Sequence, residues 1–341
     1  MTFGATGLLG EMLPAFGFGA APLGNLYRAL SEAEAAQLLV TAWDSGIRYF
    51  DTAPLYGFGL SERRLGAFLQ TRPRKDYVLS TKVGRRLKPN AGDHPQRAFF
   101  IDADPYEPHF DYSYDGIMRA FEEGLTRLGT DRIDILLMHD IGEATHGEDH
   151  TAHFKIAMDG GYKAMDELRR SGDVSAIGLG VNEWEVCAEA VACHPWDCML
   201  LAGRYTLLEQ GATDFLDLCA DTDIAVIAAG VFNSGILATG AGAHAHFNYA
   251  AAPAHVTARV RSLSEICERH KTPLGAVALQ FTAAHPAVRS IIAGVGSIAE
   301  FAETRRWAET PVPRALWADL VSAGLLRADV PLPAVSGDVV S

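Results

Sequence analysis

Ile47-Arg48-Tyr49-Phe50-Asp51-Thr52-Ala53-Pro54-Leu55-Tyr56-Gly57 reads as a short buried strand running into a shaped loop. Ile47, Tyr49 and Phe50 are the β-branched and aromatic residues that buried strands carry, and Gly46 ahead of them ends a helix. Pro54 and Gly57 bend the loop. Asp51 stands where strand gives way to loop, with Tyr56 shortly after it. Two later stretches repeat the form. Tyr77-Val78-Leu79-Ser80-Thr81-Lys82-Val83-Gly84 is a strand ending in a lysine, and Ile133-Asp134-Ile135-Leu136-Leu137-Met138-His139-Asp140 is one ending in a histidine. An acid, a phenol, an amine and an imidazole at or just past three strand ends form a candidate catalytic set.

Working outward, strands and helices alternate. Phe16 to Asn25 opens the series as a first strand and its exit loop, and Ser31 with Glu34 forms a capping box for a helix that Gly46 closes. Helices are expected from Ser61 to Gln70 and over 114–128, 161–171, 183–193, 211–221, 255–270 and 274–284. Between them lie strands at 175–179, 198–203, 224–229 and 288–293, which with the first four make eight. That pattern predicts a (β/α)8 TIM barrel of the α/β class, with long active-site loops at the strands' C-terminal ends. No linker or compositional break divides residues 1–341, so one domain is expected. Gly4, Gly7 and Gly10 imitate a dinucleotide-binding turn, but such a turn needs a buried strand before it. An N-terminal hairpin closing one end of the barrel is the expectation instead. The stretch from Gly84 to Tyr112 carries no helical period and reads as a long functional loop. The tail after Pro331 has few anchors.

Composition narrows the function. Forty-eight per cent hydrophobic residues can build a large core, while a formal charge of −13 argues against a nucleic-acid partner or an anionic membrane surface. No apolar run reaches the length of a membrane span, and the N-terminus lacks the features of a secretory signal. Five cysteines without CxxC spacing read as free buried thiols, which argues against a metal site and for the cytoplasm.

With these three motifs in this order, the chain from about Phe16 to Trp307 resembles the aldo-keto reductase family. The family's tetrad falls on Asp51, Tyr56, Lys82 and His139. A tyrosine hydroxyl titrates near ~10, so an adjacent ammonium, here Lys82, is needed to favour its phenolate. The buried lysine in turn needs the counter-charge of Asp51. The resemblance implies hydride transfer between a nicotinamide and the substrate carbon. Tyr56 would then carry the proton and His139 orient the substrate oxygen.

It also implies an extended NAD or NADP bound without a Rossmann domain, with contacts at Gly19, Asp51, Asn182, Gly294, Ser297, Glu300 and Glu303. Asn182 would hold the carboxamide. The family's usual serine and glutamine there are Val181 and Ala202, and its stacking tyrosine is Ala229, leaving Phe232 or Tyr205 as substitutes, with Tyr205 equally readable as barrel-wall packing. Glu300 faces the place where NADP-preferring relatives put a cation, which favours NAD; Arg305 and Arg306 lie close to it.

Ala21–Tyr27 and Leu137–Ile141 look like the family's sugar-dehydrogenase branch, which includes L-fucose (D-threo-aldose) 1-dehydrogenases and pyridoxal 4-dehydrogenases. Oxidation of an aldose at C1 to the lactone is therefore expected. A pyridoxal dehydrogenase, a general carbonyl reductase and a cofactor-binding channel subunit stand as alternatives. Asp93, His94, Arg97, Asp102 and Asp104 in the long loop are candidate hydroxyl binders or, equally, a solvated surface. The sequence leaves the oligomeric state open.

Overall fold

The computed structural model describes residues 7–90, 99–242, 245–248 and 250–333. Eight parallel strands close into a barrel: β1 (Phe16–Gly19), β2 (Tyr49–Asp51), β3 (Val78–Val83), β4 (Ile135–His139), β5 (Ala176–Val181), β6 (Cys198–Ala202), β7 (Ala225–Ala229) and β8 (Val288–Gly294). Each pairs with its sequence neighbours, and β1 joins β8 to β2 to close the ring. Strands covered on both faces read as near-continuous apolar runs, and every residue of β4 and β5 is buried.

Side chains alternate across each strand, so one parity points inward. Tyr49, Ile135, Leu137, Ala176, Cys198, Leu200, Ala225, Ile227 and Ile292 share one buried cluster inside the ring. Continuing the same parity toward the C-terminal ends reaches Asp51, His139, Gly180, Ala202, Ala229 and Gly294. The candidate site is thus the top layer of the barrel's own filling.

Helix Glu32–Asp44 begins with the expected capping box, Ser31 accepting from the Glu34 N–H while the Glu34 carboxylate accepts from Ser31. Gly46 then takes φ +95, a left-handed conformation that ends the helix. Ser61 does not open its helix, which runs Leu60–Leu69 from Gly59. Its buried hydroxyl instead donates to the Ala20 carbonyl (2.7 Å) and accepts from Thr52 Oγ1 (2.9 Å), tying β1's exit to β2's.

Three expectations are corrected. The described part of the N-terminus is a helix, Gly7–Met12, rather than a hairpin. It still closes the barrel's lower end, because Leu9 and Leu13 enter the interior cluster; burial of that kind stabilises by about 1.5–3 kcal/mol per side chain. The stretch after β3 is no uninterrupted loop, since Arg85–Pro89 and Tyr106–Phe110 pair as an antiparallel ribbon. All five cysteines are free, but Cys193 is exposed. Residues 93, 94, 97 and the tail from 334 lie outside the described residues. Among the described residues no helix is long and apolar enough to cross a membrane.

Candidate active site

Asp51, Lys82 and His139 are brought together because β2, β3 and β4 are adjacent and in register. Lys82 Nζ donates to Asp51 Oδ2 at 2.8 Å and to the Thr52 carbonyl at 2.9 Å. The other Asp51 oxygen accepts from Ser80 Oγ (2.7 Å), which in turn is 3.0 Å from the Tyr49 hydroxyl. The ion pair is almost fully buried, with side-chain exposures of 1% and 4%. Such a pair persists only where hydrogen bonds satisfy what the salt bridge leaves open. Gly180 across the barrel makes room for it: a Cβ there would lie 3.0 Å from Lys82 Cε.

Tyr56 reaches the same point from the loop after β2. That loop is pressed against the exit of β1, where a Cβ on Gly24 would meet the Tyr56 carbonyl carbon at 2.4 Å. Gly57, at φ +64, faces Gly24 from the other side. Only two glycines permit this approach, so the position of Tyr56 is fixed by backbone packing. Its ring lies 4.9 Å from Lys82 Nζ and edge-on to His139 at 6.3 Å.

Burial opposes the Lys82 ammonium, but Asp51 and Tyr56 outweigh it and hold the amine above its ordinary pKa. His139 moves the other way. Burial, aided by the charges of Arg85 and Lys82, drives it well below 6.5, so the imidazole is neutral at pH 7. His146 is lowered to about 4, by burial first and then by His153 and Arg85. Both groups bind protons more readily unfolded than folded. Below about pH 6.5 the unfolded chain therefore takes up more protons, and stability falls as pH falls. Each contributes a slope of at most about 1.4 kcal/mol per pH unit. Urea midpoints are expected to drop between pH 7 and pH 5, and His139→Asn to flatten that drop; a midpoint that rises on acidification contradicts it.

On the far arc, Gly19 is in register with both Asp51 and Gly294, bringing the ion pair alongside the loop after β8. Small residues line the mouth there, with Ala202 and Ala229 half-buried and Gly294 exposed. Asn182 follows β5, half-buried, and its side chain makes no hydrogen bond among the described residues. Ser297 caps helix Ile298–Glu309 through the Glu300 N–H, and Glu300 Oε2 accepts from Gly296 N–H at 2.8 Å. This arc of small residues, bordered by an open amide and a helix N-terminus, fits an extended dinucleotide.

Glu303 is paired with Arg306 at 2.8 Å, and Arg305 reaches Glu309. Tyr205 is no stacking platform, because it lies buried against Phe281 and His285. Phe232 turns an edge to Trp307. Of the loop acids, Asp104 is held by Arg63 (2.8 Å), and Asp102 is exposed on the surface.

Sequence reasoning passed over Arg85, Tyr112 and Asp140, all of which surround His139. Tyr112 donates toward the His139 and Asp140 carbonyls, at 2.8 and 3.0 Å. Arg85 forms an ion pair with Asp140, whose Oδ2 is 3.4 Å from His139 Nε2. The available signal was position: Arg85 comes just after the lysine strand and Asp140 just after the histidine.

A family model described as Aldo/keto reductase family matches residues 15–324. The chain is 43% identical over 333 residues to a pyridoxal 4-dehydrogenase of Microbacterium luteolum, covering 94% of this chain and 97% of the relative. It is 41% identical over 329 residues to a D-threo-aldose 1-dehydrogenase of a Pseudomonas species, with the same coverages. An aldo-keto reductase from Bacillus halodurans in its holo form shares the fold, with TM-score 0.69, 22% identity, and 95% and 94% of the two chains covered. Barrel, site geometry and relatives agree: the chain is an oxidoreductase that belongs to the aldo/keto reductase family.

Proposed function

We propose that the chain oxidises the cyclic hemiacetal form of an aldose at C1 to a lactone, using NAD. The carrying observation is Lys82, held by Asp51 and set against Tyr56, with a neutral His139 alongside. Two relatives support the substrate class through their names, since pyridoxal and aldoses are both aldehydes that close onto an internal hydroxyl. In this reading Tyr56 takes the hydroxyl proton, and the Lys82 ammonium stabilises the phenolate that receives it. Asp51 keeps the lysine charged. The nearby Asp140 carboxylate favours the His139 proton on Nε2, from which it donates to the reacting oxygen. A bound nicotinamide would supply the hydride acceptor for the carbon that bears that hydroxyl.

A second reading, oxidation of pyridoxal, rests on the 43% identity and on Phe100 beside the Tyr56 ring. NADH absorbance with L-fucose, D-arabinose, L-galactose and pyridoxal separates the two. Turnover of an aldose supports the first; turnover of pyridoxal alone favours the second. NADPH-linked aldehyde reduction without either overturns both.

The preference for NAD rests on Glu300. Its carboxylate adds negative charge and already occupies the Gly296 N–H that a 2′-phosphate would otherwise claim. Glu300→Gln keeps an acceptor for that N–H and removes the charge. It is expected to raise the NADP-to-NAD ratio of kcat/KM by about fivefold, the ~1 kcal/mol that one contact-distance charge is worth in water, since Glu300 is exposed. Equal efficiency with both cofactors in the unaltered protein contradicts the assignment.

A further inference from the structure

Asp140 biases the tautomer of His139 through one carboxylate oxygen, and its other oxygen is left without a role in the proton machinery. It follows His139 directly and holds φ +48, a left-handed conformation that aspartate tolerates better than most residues. Its N–H donates to the Gly180 carbonyl (3.1 Å), which fixes it to the neighbouring strand end. Oδ2 is clamped by Arg85 and lies 3.4 Å from His139 Nε2. Oδ1 accepts no hydrogen bond among the described residues, and 15% of the side chain remains exposed. Arg85, by contrast, is 3% exposed, lies over the Phe110 ring at 4.8 Å, and has buried Nε and Nη1 groups without partners. An arginine so enclosed acts on the carboxylate, which is the member of the pair that opens toward a ligand.

We infer that Asp140 is a substrate-binding residue that accepts a hydrogen bond from the hydroxyl on the carbon next to the one oxidised. The inference rests on the aldose reading above. His139 Nε2 and the Asp140 carboxylate stand about as far apart as two oxygens on neighbouring carbons, so one sugar edge can meet both. Arg85 aims the carboxylate and opposes the burial that pushes its pKa up. A hydroxyl at that carbon is therefore required, and a sugar lacking it leaves a half-buried charge without a donor.

The test compares L-fucose with its 2-deoxy analogue in the unaltered protein and in Asp140→Ala. The unaltered protein is expected to favour the parent sugar by about 10- to 100-fold in kcat/KM, the range of a hydrogen bond to a charged group. In Asp140→Ala the ratio is expected to collapse toward one. A merely structural role lowers both sugars together and keeps the ratio, which overturns the inference, as does an absence of discrimination in the unaltered protein. Should Asp140→Ala fail to fold because Arg85 is stranded, Arg85→Met with Asp140→Leu removes both charges and carries the same comparison. Oxidation of pyridoxal with no aldose turned over overturns the aldose reading itself, and is told apart by the substrate panel.

Discussion

Tyr56→Phe is expected to lower kcat by about 10²- to 10⁴-fold, the usual worth of a positioned proton carrier. The change removes one oxygen and leaves the ring in place between Phe100 (6.4 Å) and His139 (6.3 Å). KM should move little, because neither ring packing nor the Gly24–Gly57 contact depends on the hydroxyl, while the unfolding midpoint should fall modestly as buried Lys82 loses its hydroxyl partner. Single-turnover rates of NADH formation read the effect directly. A phenylalanine variant retaining a tenth or more of the original rate would show that another group carries the proton.

Lys82→Met is expected to cost both activity and structure. It leaves the Asp51 carboxylate buried, with Ser80 as its remaining side-chain donor. Breaking a buried pair from one side costs about 3–5 kcal/mol, most of it the uncompensated charge. Adding Asp51→Asn should return much of the stability without returning turnover, since the phenolate still lacks its cation. Urea denaturation of the single and double variants, run beside the activity assay, separates the two losses. Equal stability of the two variants would mean that Asp51 is relieved by protonation or by water.

The eight strands were legible because parallel strands covered on both faces must be apolar throughout, as Ile135–Met138 and Ala176–Val181 are. The tetrad was legible because its polar residues interrupt those runs at the barrel's mouth. Other features left no such mark. Gly7–Met12 is too short and glycine-rich to be a helix on its own propensity, and it depends on burying Leu9 and Leu13. The ribbon of Arg-Arg-Leu-Lys-Pro with Tyr-Glu-Pro-His-Phe is polar and proline-bearing, and its pairing satisfies a backbone that hydrophobic patterning does not reveal. Arg85 and Asp140 meet across 55 residues of sequence, a contact that depends on strand order. Tyr205 was open to two readings, platform or barrel-wall packing, because a ring a few residues beyond a strand's end can face the mouth or the outer helices; it takes the second.

The ring has a seam. Gly19 is aligned with Asp51 on one side and Gly294 on the other, so the two arcs of the mouth meet along the four residues of β1. One arc carries the tetrad and Asp140 on β2 to β4 and their loops. The other carries the loop after β8, proposed for the dinucleotide. Each can drift without rewriting the other, provided the glycines at the seam stay. A lineage could thus trade one sugar for another by altering the turns after β3 and β4 alone, and keep its redox currency unchanged.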